Sequence, residues 1–260
     1  DRTGGVGTLK LVGTLDNTGD TLTLDASTGT MTASYNGVYG SIVGGTIAGE
    51  AGRLRMASNS ILDGVTLTTR VDVPVDNGVR IRNGLTLDGG SILLTNNSSL
   101  RYEGTQSILA GPGGGQILLG STAGTPNDSN HIYWWTSNMG LTIGAGVTVR
   151  PDATNPGGGT ITLAYGPASG SIAGHVLADQ GRTLVINTDN GGTWSNTGTL
   201  EATGGTLNLN NAWSSTAPGS LLLGTGGTLN LGGSFTTASF ETLDRTGGVG
   251  TLKLVGTLDN

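Results

Sequence analysis

Cysteine is absent, which removes disulfide staples and thiolate metal sites from consideration. Charge is sparse too: 12% of residues are charged and the net charge is −6. Such a chain lacks the basic stripe that neutralises phosphates, so no nucleic-acid partner is expected. No apolar run approaches the roughly 18 residues of a membrane-spanning helix, so no membrane span is expected. Aromatics make up 4% and prolines number seven. No segment shows a 3.6-residue apolar period with caps, so no helix is predicted.

Glycine, by contrast, occurs 49 times. It follows no Gly-X-Y period, which excludes collagen. Leu, Ile and Val recur at strand-like spacing and charge is low, which argues against disorder. Residues 1–17 read DRTGGVGTLKLVGTLDN, and residues 244–260 read the same without one substitution. The reading that follows is one full repeat, 1–243, and the start of an identical next one, 244–260, as in a tandem array or filament. The two copies are then expected to occupy equivalent environments at a repeat junction. Leu9 and Leu11 in the first copy correspond to Leu252 and Leu254 in the second.

A shorter period lies inside the repeat. Segments such as Thr8–Val12, Thr21–Leu24, Val65–Thr68, Thr160–Leu163, Thr206–Leu209 and Thr228–Leu231 alternate apolar and polar residues with period two. Between them lie Gly-Gly, Asn-Gly and Asp-Gly pairs, which accept the positive φ of tight turns. Similar phrases return every 20 or so residues, the pattern of an all-β parallel β-solenoid whose rungs stack on one another. At 20–22 residues per rung, the 243-residue repeat holds about 11–12 rungs and forms a rod of about 55 Å. A narrow bore suits Leu, Ile, Val and Ala, and recurrent Asn at the turns is suited to side-chain ladders along the axis.

Residues 110–140 break the rhythm and read as an irregular insertion. Gly113, Gly114 and Gly115 form a flexible run there, Pro126 interrupts pairing, and His131, Tyr133, Trp134 and Trp135 concentrate aromatic character. Two readings compete. The cluster is a contact patch for glycans or a neighbouring filament, or it braces the rod over a wide rung. If the segment is extended, Trp134 and Trp135 point to opposite faces, so at most one faces solvent freely.

No catalytic, cofactor-binding or metal-ligating constellation stands out, and neither an enzyme nor a cofactor is expected. The carboxylates are scattered, His131 and His175 are the only histidines, and no nucleophile elbow, P-loop or metalloprotease helix motif occurs. Gly4–Leu9 has the glycines of a calcium-binding solenoid repeat but carries Leu9 where Asp is needed. The Thr-x-Thr pairs are not spaced once per rung, as an ice-binding face would require.

The phrase Gly192–Leu209, GTWSNTGTLEATGGTLNL, resembles repeats of very large bacterial surface proteins of the filamentous-haemagglutinin-like and autotransporter-passenger-like β-helix type. The resemblance extends over residues 1–50 and 170–260. It implies an exported rod, extracellular or on the cell surface. The expected function is structural, as the repeat unit of a filament whose partner is the next repeat. The alternative is an adhesin rod that holds surface glycans through the aromatic loop.

Overall fold

The computed structural model describes residues 8–217 and 220–260 and is a parallel β-solenoid of about eleven rungs. Each rung contributes a strand to three sheets in turn. The first sheet has eleven strands: Thr8–Lys10, Thr30–Thr32, Leu54–Arg55, Arg70–Val73, Ser91–Thr95, Gly115–Gly120, Val147–Pro151, His175–Ala178, Thr199–Ala202, Leu221–Leu223 and Leu243–Asp244. The second sheet runs from Gly13–Asp16 through Val38–Val43, Ser99–Tyr102, Asn130–Trp134, Gly159–Tyr165, Thr183–Asp189, Thr206–Leu209 and Thr228–Leu231 to Thr251–Leu254. The third runs from Thr21–Leu24 through Thr46–Gly49, Gln106–Ala110, Met139–Ile143, Ser169–Ile172, Thr193–Asn196, Ala212–Ser215 and Ser234–Thr236 to Thr257–Asp259. In two rungs a single strand, Ser60–Leu67 or Gly78–Leu87, bends to serve both the second and third sheets.

Parallel register stacks like on like along the axis. In the first sheet Val71, Ile92, Ile117, Val149, Val176, Leu200 and Leu221 form one column, each side chain fully buried. In the second sheet Val79, Leu100, Ile132, Ile161, Ile186, Leu209 and Leu231 do the same. The period-two alternation produces these columns, because every second residue of a strand points into the bore. In the third sheet the column becomes aromatic: Trp194, Trp213 and Phe235 stack with ring centroids 5.8 and 4.9 Å apart. The indole N–H groups donate to Asn210 O and Gly232 O, both at 2.9 Å, so burying the rings strands no polar group.

The corners use residues that tolerate the left-handed region. Asn190 and Gly191 have φ of 50° and 83° and turn the chain from the second sheet to the third. Asn211 (φ 63°) serves the same corner one rung on, and Gly233 (φ 66°) the rung after that. A Cβ at Gly233 would lie 1.6 Å from Asn211 O, so only glycine fits. Beside these corners Asn230 Nδ2 donates to Asn208 Oδ1, a rung-to-rung amide contact of the ladder type the sequence suggests. A single helical turn, Thr237–Phe240, capped by Thr236, follows the third sheet. It is too short for a periodic signal.

The irregular segment is smaller than the sequence suggests. Gly115–Gly120, Asn130–Trp134 and Met139–Ile143 take ordinary places in the three sheets. Only 121–129, with Pro126, leaves the rung, which explains why Ile117 and Val149 are 32 residues apart yet directly paired. Buried Asn130 closes the base of this loop, its Nδ2 donating to Gly120 O and Gly158 O. The Gly113–Gly115 run is a bonded corner, with Gly113 N–H on the Asp88 carboxylate at 2.7 Å and Gly114 N–H on Gly111 O at 3.0 Å. Among the described residues no helix is long and apolar enough to cross a membrane.

Position along the strand sets the cost of truncation. Trp213→Ala, which empties the middle of the aromatic stack, should cost about 3–5 kcal/mol. Leu109→Ala removes an outward, half-exposed side chain and should change stability by about 0.5 kcal/mol or less. Guanidinium unfolding followed by far-ultraviolet circular dichroism measures both; equal costs would contradict the inward placement of Trp213.

Candidate functional site

The outer surface of the second sheet carries the densest chemistry. Outward positions of successive rungs hold Arg80, Arg101 and Tyr133 in register, with His131 two residues before Tyr133. The chain leaves the ladder after Trp135, whose N–H still donates to Tyr102 O at 2.9 Å. The Trp135 ring lies between two guanidinium groups, 4.8 Å from that of Arg80 and 5.1 Å from that of Arg101. Arg80 also faces the Tyr39 ring at 4.8 Å, and Arg101 the Tyr133 ring at 4.9 Å. The result is an alternating column, Tyr39–Arg80–Trp135–Arg101–Tyr133, in which each cation meets the negative faces of two rings. Tyr39 reaches it from a small hairpin, Ser34–Tyr35 paired antiparallel with Val38–Tyr39.

Hydrogen bonds fix the cations. Arg80 Nε donates to Asn59 O at 2.9 Å, and its head group lies 3.5 Å from Glu103. Glu103 also accepts from Arg82 at 2.8 and 3.0 Å. Arg101 Nε donates to Ser99 Oγ at 3.1 Å. Arg80 is almost fully buried, and its rings and carboxylate partner offset the loss of water.

Trp134 turns the other way from Trp135, as the alternation requires. It packs on the core and on the Tyr165 ring, centroid to centroid 4.1 Å, and its Nε1–H donates to Asp189 Oδ2 at 2.8 Å. Beneath it, buried Tyr102 donates its hydroxyl to Thr162 O at 3.0 Å. Burial, and secondarily the Asp189 charge, pushes the phenol far above its usual range. His131 meets the Tyr133 ring edge-on at 5.9 Å. Burial first, then the Arg101 charge, holds its imidazole below the ordinary 6.5 and favours the neutral form.

Beside the column lies a groove of about 590 Å³ lined by Asn59, Asp76, Arg101, His131, Tyr133, Trp134 and Asp189, among others. Its carboxylates are engaged: Asp76 accepts from Asn97 Nδ2 at 2.8 Å and Asp189 from Trp134. The groove therefore brings together His131, Tyr133 and Trp134, while Trp135 is held in the column. Sequence reading missed Tyr39, Arg80 and Arg101, which come from other rungs. The only local signal was the outward position of the arginines in their strands. Among the described residues no group of three or more His, Asp or Glu side chains is placed to hold a metal ion.

The junction residues sit at opposite ends of the rod. Leu9 pairs with Met31 in the first sheet, with Leu11 following it; Leu252 and Leu254 pair with Leu229 and Leu231 in the second. The two identical segments therefore occupy different sheets.

Two measurements test the site. The folded protein should hold fewer protons at His131 than the unfolded chain once pH falls through 6.5. His131 then subtracts stability on acidification and adds no pH dependence above that window. In an NMR titration its ring should change charge below 6.5, and Arg101→Gln should move the midpoint upward; an unmoved midpoint would leave burial as the sole cause. Trp134→Phe keeps the ring packing but removes the bond to Asp189, and should cost about 1–3 kcal/mol in denaturant unfolding. No protein-family model matches the chain, and no curated protein or solved structure is significantly similar to it.

Proposed function

We propose that the chain is the repeat unit of an extracellular or cell-surface β-solenoid filament, and that its role is mechanical. One observation carries this reading. The second copy of the 17-residue segment continues the solenoid in unbroken register, Thr228–Leu231 against Thr251–Leu254 and Ser234–Thr236 against Thr257–Asp259. Stacking at about 4.8 Å per rung makes the chain a rod of about 50 Å. Under load the ladder along the axis shares the force among many backbone bonds. The arginine–aromatic column ties Val38–Val43, Gly78–Leu87, Ser99–Tyr102 and Asn130–Trp134 together on the outside and fits the brace reading of the aromatic cluster. The export assignment rests on the resemblance of Gly192–Leu209 to bacterial surface repeats.

A chain holding two consecutive units should appear in electron micrographs as one straight rod of about twice the single-unit length. Two rods joined by a flexible link, or a folded-back pair, would overturn the reading.

A second reading, an adhesin rod binding glycans, is favoured by the groove beside Tyr133 and Trp134. Its volume suits a short oligosaccharide, and it offers a ring face amid amide and carboxylate groups. Because Trp135 is sandwiched between guanidinium groups, Tyr133 and Trp134 rather than Trp135 are the stacking surfaces. A glycan array should give hits that Tyr133→Ala weakens at least tenfold. Absence of hits removes this reading, and shortened oligosaccharides after incubation would replace binding by cleavage through Asp76 or Asp189.

A further inference from the structure

The identical segments lie one sheet out of step, and this offset defines how one repeat meets the next. From Thr8–Lys10, the first strand of the first sheet, the chain makes ten full rungs to Leu243–Asp244, the eleventh. It then passes to the second sheet before the segment recurs as Thr251–Leu254. Likewise Gly13–Asp16 lies in the second sheet and its equivalent Thr257–Asp259 in the third.

The contacts on the two sides of this segment are complementary. The C-terminal copy is paired on its lower side, Thr251 with Thr228 and Leu252 with Leu229. The N-terminal copy is paired on its upper side, Thr8 with Thr30 and Leu9 with Met31. The following strand behaves alike: Thr257 pairs below with Ser234, and its equivalent Thr14 pairs above with Ser41. Superposing the two copies therefore satisfies both edges of both strands at once. It requires the second repeat to carry its first-sheet strands on the second sheet of the first repeat, its second-sheet strands on the third, and its third-sheet strands on the first. A three-sided solenoid admits this, because at the two ends that meet each sheet turns apolar side chains inward: Leu252, Leu254 and Leu258 pair with Leu229, Leu231 and Phe235, and Leu9 and Leu15 with Met31 and Ile42.

We propose that the terminal rung docks a second copy of this chain's repeat rotated by one third of a turn, so that one repeat spans ten and one third rungs. This rests on the filament reading above. The arginine–aromatic column, its groove and the 121–129 loop then face a new side in each successive repeat. They return to the first side after three repeats, about 150 Å along the rod. A filament built this way presents the same surface in all directions, which suits contact with partners on every side.

A two-unit chain tests the rotation separately from the filament. In the rotated arrangement Lys253 lies beside Asn230; in an unrotated one, with the second copy taking the first-sheet place that Leu243–Asp244 holds, it lies beside Leu222, the residue that otherwise pairs with Asp244. The cysteine-free background allows clean pairs. Mild oxidation should cross-link the N230C/K253C variant and leave L222C/K253C uncross-linked. The reverse result overturns the rotation while an elongated rod leaves the filament standing. The unmodified two-unit chain provides an independent readout, because three-dimensional reconstruction should place its two 121–129 loops a third of a turn apart. Loops on the same side overturn the proposal whatever the variants do, and a rod that is not elongated overturns the filament reading with it.

Discussion

Parallel stacking along a single axis is the constraint on which this structure depends. Each strand satisfies its backbone groups through the rungs above and below, so all three sheets must keep register over the whole length. A slip of one residue in any rung would turn its apolar side chains outward and break the columns that begin at Val71 and Val79. The residues between strands are therefore free to vary only at the corners. Rungs with 17 residues from Leu54 to Val71 and 32 from Ile117 to Val149 keep the same pairing because the difference is absorbed outside the bore.

The exterior is organised by the same geometry. In-register stacking brings outward residues of neighbouring rungs within about 5 Å of one another, which is costly for like charges. Arg80 and Arg101 are directly paired neighbours, and the Trp135 ring meets both guanidinium groups, at 4.8 and 5.1 Å. Glu103 then neutralises Arg80 and Arg82 from the next rung. The cluster that interrupts the sequence rhythm thus resolves a repulsion the solenoid itself creates. The groove beside it lies between the corner residues Asn59, Asp76 and Asn97 on one side and the bulk of Tyr133 and Trp134 on the other.

Much of the fold was legible because a solenoid writes its geometry locally. Thr206-Leu207-Asn208-Leu209 and Thr228-Leu229-Asn230-Leu231 announce both strand and stacking, since the same phrase pairs with itself one rung on. The corner at Asn190-Gly191 is equally plain, for few other pairs accept two positive φ values in a row. The aromatic stack was less so: Trp194, Trp213 and Phe235 stand at intervals that mean nothing until rung length is known. Of the candidate site, the opposite facing of Trp134 and Trp135 followed from strand alternation alone. The partners of Trp135 did not, because Tyr39, Arg80 and Arg101 are distant in the chain and meet it only through register.

The sequence by itself determined that this is an all-β repeat protein with a narrow apolar bore, glycine and asparagine corners and an exact recurrence after 243 residues. Those properties are written in spacing and composition, which act over a few residues. Only the tertiary structure decided which sheet each strand joins, that Arg80 and Arg101 enclose Trp135, and that Thr8 and Thr251 fall on different sides of the rod. Those outcomes depend on the accumulated length of ten unequal rungs, a sum that no local pattern carries.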